Sequence, residues 1–128
     1  MDYFSSNSMF LMERSMNYLW TKQTAISDNI ANAETPGYKE KIVTFEESLK
    51  EKFEQAMRSA TPRASMRGVL EDARFTVVST KDSTRLDDNG VNTTEQMVEL
   101  VRNAYQLQYV MNAISTDLNT LRTAISGK

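Results

Sequence analysis

The sequence predicts a mainly α fold: long N- and C-terminal helices paired as a coiled coil, with a small irregular, β-hairpin-containing segment between them. Three observations predict it. Apolar residues recur in alternating steps of three and four near both ends of the chain. Turn chemistry at Thr35-Pro36-Gly37-Tyr38 breaks the first of these rhythms. β-branched and aromatic residues gather between about Arg74 and Val91. The 128 residues suit one domain with a sizeable core. They divide into 1–35, the N-terminal helix of the pair; 36–92, a turn, a short helix, a flexible loop and a hairpin; and 93–128, the C-terminal helix.

In the N-terminal quarter, Met9, Met12, Met16, Leu19, Gln23, Ile26, Ile30 and Ala33 form a heptad line in which only Gln23 is polar. Pro36 ends it, because the residue before a proline is pushed out of the helical region. Pro36-Gly37 then suits the two central positions of a type II turn, with Gly37 supplying the positive φ. Asn29 and Asn32 lie one turn apart at this end, placed to hydrogen-bond backbone groups freed where the helix stops. The small Ala31 and Ala33 allow a neighbouring helix to approach, and the ring of Tyr38 anchors the outgoing strand.

Farther on, FEESLKEKFEQAM places Phe45, Leu49, Phe53 and Met57 four residues apart, the spacing of a short helix. SATPRASMRG, residues 59–68, has no sustained period and reads as a flexible loop, while the order of 58–73 as a whole is left open by the sequence. Arg58, Arg63, Arg67 and Arg74 make it basic, but only Phe75 offers a ring nearby and the chain is acidic overall, which argues against nucleic acid. ARFTVVST has strand composition and DDNG is turn chemistry. Asp87, Asn89 and Gly90 also match three positions of a calcium loop, but Arg85 and Gln96 stand where its outer acidic ligands belong, so a turn is expected.

The C-terminal third carries the strongest pattern. Met97, Leu100, Ala104, Leu107, Met111, Ile114, Leu118, Leu121 and Ile125 hold the three-four rhythm without a polar interruption. Thr93 with Gln96 reads as a capping box and Gly127 as the stop. A helix of about 33 residues would run roughly 50 Å. Val98, Val101 and Tyr105 form a second apolar row, with Tyr109 and Val110 on adjoining faces. One partner helix cannot cover all of this, and the chain holds 8 methionines, adaptable packers at interfaces. The terminal helices are therefore expected to be completed by other copies or other proteins.

Composition narrows the function classes. Histidine and cysteine are both absent, which removes imidazole bases, thiol nucleophiles and the usual zinc ligands. Glu46-Glu47 and Asp87-Asp88 are sequence neighbours and point apart in regular structure, so no general acid and base pair is expected. No catalytic, cofactor-binding or metal-binding residue is assigned. A net charge of −2 gives no general attraction to nucleic acid or anionic lipid. The start MDYFSSNSMFLMERS lacks a basic segment leading into an apolar run, so neither a cleavable signal nor a membrane insertion is expected.

The stretch SDNIANAETPGYK, residues 27–39, resembles the signature of bacterial flagellar rod, hook and related axial proteins. Asn29, Ile30, Ala31, Asn32, Ala33, Thr35, Pro36, Gly37 and Tyr38 stand where that pattern has them. The closing run EQMVELVRNAYQLQYVMNAISTDLNTLRTAI is similar to that of the rod subunit at the base of the structure. The resemblance covers about 30 residues at each end and little of 46–92. It implies a structural subunit of the flagellar basal-body rod, in its proximal part, without enzymatic activity or cofactor. It further implies polymerisation through the terminal helices into a helical tube linking the membrane ring to the distal rod. Expected partners are copies of itself, other rod subunits, membrane-ring or adaptor proteins at the rod base, and the flagellar type III export apparatus. The expected location is the periplasmic rod, reached without a cleavable signal. The helix-pair and subunit interface is expected at Met9, Met12, Met16, Leu19, Ile26 and Ile30 against the nine-residue line from Met97 to Ile125. A different rod subunit of the same family and a soluble coiled-coil adaptor are the alternatives.

Overall fold

The computed structural model describes residues 7–44, 46–79 and 90–127. The elements in chain order are α1 (Asn7–Ala31), β1 (Lys41–Thr44), α2 (Glu46–Met57), α3 (Pro62–Asp72), β2 (Thr76–Ser79) and α4 (Thr93–Ser126). The fold is mainly α, with long helices at both ends and one small sheet in the middle.

Helix α1 has neither glycine nor proline, and its Leu19 and Ile26 are buried, each worth about 1.5–3 kcal/mol when fully withdrawn from water. It closes with tighter bonds from Ala33 N–H to Ile30 C=O and from Thr35 N–H to Asn32 C=O. Tyr38 N–H then reaches Thr35 C=O at 3.2 Å, with Gly37 at φ 71°. Proline followed by a positive-φ glycine is type II turn chemistry, and it delivers the chain into β1.

Helix α4 is capped one residue before the expected position. Asn92, in an extended conformation, accepts the N–H groups of Thr94 and Glu95, so Thr93 is the first helical residue and Gln96 is free for another task. Gly127, at φ 66°, ends the helix with its N–H on Thr123 C=O, as expected. The helix spans 34 residues and packs along α1.

One expectation for the middle is corrected. The expected SATPRASMRG loop is helical from Pro62 onward, as the first part of helix α3. Pro62 sits in its first turn, where a missing N–H is harmless and a fixed φ is useful. Ser65 N–H bonds Thr61 C=O, and burial of Leu70 and Ala73 supplies the packing that local propensity does not. Arg14 of α1 also reaches over to donate to the Leu70 and Glu71 carbonyls. The strand expected in ARFTVVST is present as β2, but its partner among the described residues is β1, with Ile42 opposite Val78 and Val43 opposite Val77. Among the described residues the sheet therefore closes around the α2–α3 insertion. The DDNG turn and the calcium-loop residues Asp87 and Asn89 lie outside the described residues. In α2, Ala56 is buried and Met57 is exposed; Phe45 and the side chains of Leu49 and Phe53 lie outside the description. The core gathers Tyr18, Leu19 and Ala25 of α1 with Val43 and Ala73, and Phe75, Leu107 and Val110 pack against it.

Candidate functional site

The motif at the end of α1 folds around one side chain. Asn29 is 1% exposed, and its carboxamide uses donors and acceptor together. Nδ2 donates to Lys41 C=O at 2.9 Å and to Gln96 Oε1 at 3.0 Å. Oδ1 accepts Lys41 N–H at 2.8 Å and the Tyr38 hydroxyl at 3.3 Å. Strand β1 bonds β2 on one edge, and on the other Asn29 supplies the amide pairing a third strand would have given. One residue of α1 thus joins the turn, the strand and α4.

Its surroundings complete the junction. Gln96 of α4 is buried, and its Nε2 donates to Glu40 Oε1. Burial pushes the Glu40 carboxyl above its ordinary range, and nearby Glu95 adds to this while the Gln96 N–H offsets part of it. Lys41 Nζ pairs with Asp28 Oδ2 at 2.7 Å, which raises the lysine. Burial likewise raises Tyr38, whose anchoring bond is made by its hydroxyl. Asn32 works locally: Nδ2 donates to Asp28 C=O at 2.9 Å, a carbonyl that also accepts the Asn32 N–H, and Oδ1 accepts the Thr35 hydroxyl. Of the two alanines, Ala33 is buried and Ala31 faces out; Ile30 is half-buried, and Thr35, Pro36 and Gly37 are exposed.

The long seam treats the other candidate residues unequally. On α1, Leu19 and Ile26 are buried, and Met9, Met12 and Met16 are half-buried. On α4 the expected line splits into two sets seven residues apart. Leu100, Leu107, Ile114 and Leu121 are half-buried, whereas Met97, Ala104, Met111, Leu118 and Ile125 are exposed. Ile114 shares a cleft with Met9 and Met16. In place of the second set, α4 turns Gln96, Asn103 and Val110 toward α1. The line as a whole is therefore not the helix-pair seam: only half of it lies there, because buried amides occupy the alternate positions. Asn103 is 0% exposed and donates to Leu19 C=O at 3.0 Å and Gln23 Oε1 at 2.7 Å. Lys22 meets Glu99 at 2.9 Å beside it, and this lysine holds the Glu99 carboxyl below its ordinary range.

The exposed set does not stand alone. Val98, Val101, Tyr105 and Tyr109 are exposed on α4 with it, Tyr105 at 70% and Met111 at 53%. The result is a long apolar strip, of the kind that marks a protein interaction surface. Trp20 of α1 is also exposed. Sequence reasoning missed Gln96 and Asn103; their signal is that both are amides seven residues apart on one helix, the spacing of a shared face.

Among the described residues, His, Cys, Asp and Glu form no group of three able to hold a metal ion, and no helix is long and apolar enough to cross a membrane. Residues 14–39, which include the motif from Asn29 to Tyr38, match a family model described as flagella basal body rod protein. Over 117 residues the chain is 26% identical to the flagellar basal body rod protein FlgB of Bacillus subtilis (strain 168), covering 91% of this chain and 91% of that protein.

Proposed function

We propose that this chain, FlgB-like and supported by both matches as one of the flagellar rod protein family, is the proximal structural subunit of the basal-body rod. The family is a structural component of the rod and not an enzyme. In this reading the terminal segments, 1–35 and 93–128, form the inner layer of a helical tube, and 36–92 stands outside it. The subunit polymerises through those helices, joins the membrane ring and its adaptor to the rest of the rod, and is exported without signal cleavage by the flagellar type III apparatus. Its other partners are further rod subunits.

The observation that carries the reading is the apolar strip of α4, which pairing with α1 leaves in water. Such a surface is stabilised by burial against neighbours, and head-to-tail contacts of this kind need not close into a ring. A soluble adaptor forming a closed oligomer would use the same strip, but the rod-family match at the Asn29 junction favours the axial subunit over it. A different rod subunit of the family remains the nearer alternative.

The test is the double substitution Tyr105→Glu with Met111→Glu. Both residues are exposed, so the isolated chain should keep its unfolding midpoint. Swimming of a bacterium that depends on this chain for its rod should be lost, together with co-purification of the chain with basal bodies. Normal swimming with the doubly charged strip would overturn the proposal, and a closed, discrete oligomer of the wild-type chain at high concentration would favour the adaptor.

A further inference from the structure

We infer that the two buried amide layers between α1 and α4, Asn29–Gln96 and Gln23–Asn103, choose the rotational setting of α4 and so hold its methionine-rich line outward. The seam actually used is Gln96, Leu100, Asn103, Leu107, Val110 and Ile114. An alternative seam, Met97, Leu100, Ala104, Leu107, Met111 and Ile114, differs only in that each alternate residue moves one position along the helix. Successive residues are about 100° apart, so a turn of roughly 50° exchanges the two seams and keeps the shared leucines inside.

Hydrophobic burial alone favours the alternative. It would replace two amides and a valine by two methionines and an alanine, and would withdraw Met97 and Met111, now 54% and 53% exposed, from water. What opposes the rotation is a set of directional bonds between the helices. Gln96 Oε1 receives Asn29 Nδ2, and Asn103 Nδ2 reaches both Leu19 C=O and Gln23 Oε1. The Lys22–Glu99 ion pair joins the same two helices. Turning α4 would strand Asn29 Nδ2 with one partner fewer and pull Asn103 from the α1 backbone.

Asn103 also marks the layer as a device of selection more than of stability. Its Oδ1 is buried and meets no hydrogen-bond donor among the described residues. Exchanging its oxygen and nitrogen would be worse, because an oxygen would then face the Leu19 and Gln23 oxygens. A polar residue at one seam position of a coiled coil is known to select register at the expense of stability, which is the behaviour inferred here.

The experiment uses the full chain, which has no native cysteine, with Ala104→Cys as a single thiol probe, at dilutions where it is monomeric. In the Ala104→Cys background, Gln96→Ala with Asn103→Ala removes both α4 amides without adding apolar bulk to the present seam, and should slow thiol labelling about tenfold or more, as position 104 turns inward. The swapped pair, Gln23→Asn with Asn103→Gln, retains a buried amide layer and should label at the parent rate. Labelling of the alanine variant within twofold of the parent would overturn the inference. So would an alanine variant that no longer melts cooperatively, since the amides would then hold the helices together rather than select a face. Because the readout is taken on the free chain, it stands or falls separately from the rod assignment.

Discussion

Asn29 and Lys41 are joined through a single carboxamide that both gives and receives, donating to the Lys41 carbonyl at 2.9 Å and accepting its N–H at 2.8 Å. This two-point contact fixes the height at which β1 leaves the turn. The second Asn29 N–H then ties the same point to Gln96, 67 residues away. A sequence motif that looks like a helix end and a turn is therefore the place where α1, β1 and α4 are fastened.

Asn29→Ala removes the partner of four groups at once: the Lys41 N–H and C=O, the Gln96 carbonyl and the Tyr38 hydroxyl. Buried polar groups left unpaired cost about 1–3 kcal/mol each, and some of these will find water, so a loss of about 2–4 kcal/mol in urea unfolding is expected. Asn32→Ala gives up two local bonds at a half-buried site and should lose about 0.5–1.5 kcal/mol. Equal losses for the two variants would refute the assignment of Asn29 as the fastening point.

Gly37 provides a second, backbone-only test. Its φ is 71°, and a Cβ added there would meet nothing within 4 Å. Gly37→Ala should thus destabilise the chain by about 1–2 kcal/mol through left-handed strain alone. Asn tolerates this region better than Ala, so Gly37→Asn should recover part of the loss. A wild-type melting temperature for the alanine variant would show that the turn needs no positive φ.

Two carboxylates give the junction opposite pH responses. Burial raises the folded Glu40 pKa, so its contribution is present below the unfolded value of roughly 4.3 and is lost as pH rises through the folded value. Lys22 lowers the folded Glu99 pKa, so its contribution is present above the unfolded value and is lost as pH falls through the folded one. Glu40→Gln keeps an acceptor for Gln96 and should unfold at a higher temperature than wild type at pH 7, the two converging near pH 4. Glu99→Gln should unfold at a lower temperature at pH 7 and converge on wild type in acid. Thermal scans across this range check both, and a same-sign response at pH 7 would contradict the opposite causes.

The terminal helices are legible because period and caps agree over many residues: Leu19 and Ile26 on α1, the Leu100 set on α4, and Gly127 at its end. The rotational setting of α4 is not legible from periodicity. The Met97 set is the more apolar choice, and hydrogen bonds to residues far away in sequence decide for Gln96 and Asn103 instead. Thr93 and Gln96 read locally as a capping box, but Asn92 already serves the freed N–H groups, which releases Gln96 to turn inward. Helix α3 escapes a local reading because SATPRASMRG holds Gly68 and only a short apolar period, so its helicity rests on docking Leu70 and Ala73. Strand β1 is four residues long and pairs across an insertion, a relationship no local pattern records. For the motif, the spacing of Asn29 and Asn32 suggests bonds to the helix end, but Asn29 instead bonds Lys41, Tyr38 and Gln96 of α4, partners that no local pattern records.

The dependence of α3 on docking leads to the last prediction. Arg14 of α1 places Nε 3.2 Å from Leu70 C=O and a terminal nitrogen 3.3 Å from Glu71 C=O. These carbonyls lie in the final turn of α3, where the helix dipole is negative and a cation is favoured. Arg67 answers from α3 by lying over the Phe10 ring of α1, 5.1 Å from its centroid. With Arg14→Ala the two carbonyls lose a charged donor, a change of about 1.5–3 kcal/mol, concentrated on α3. Amide exchange should accelerate across residues 62–72 while the centre of α4 stays protected. Arg14→Lys restores charge but not the planar fork that spans two carbonyls, so its exchange should fall between wild type and alanine. Uniform acceleration through α1, α3 and α4 would instead mean that the insertion and the helix pair unfold as one unit.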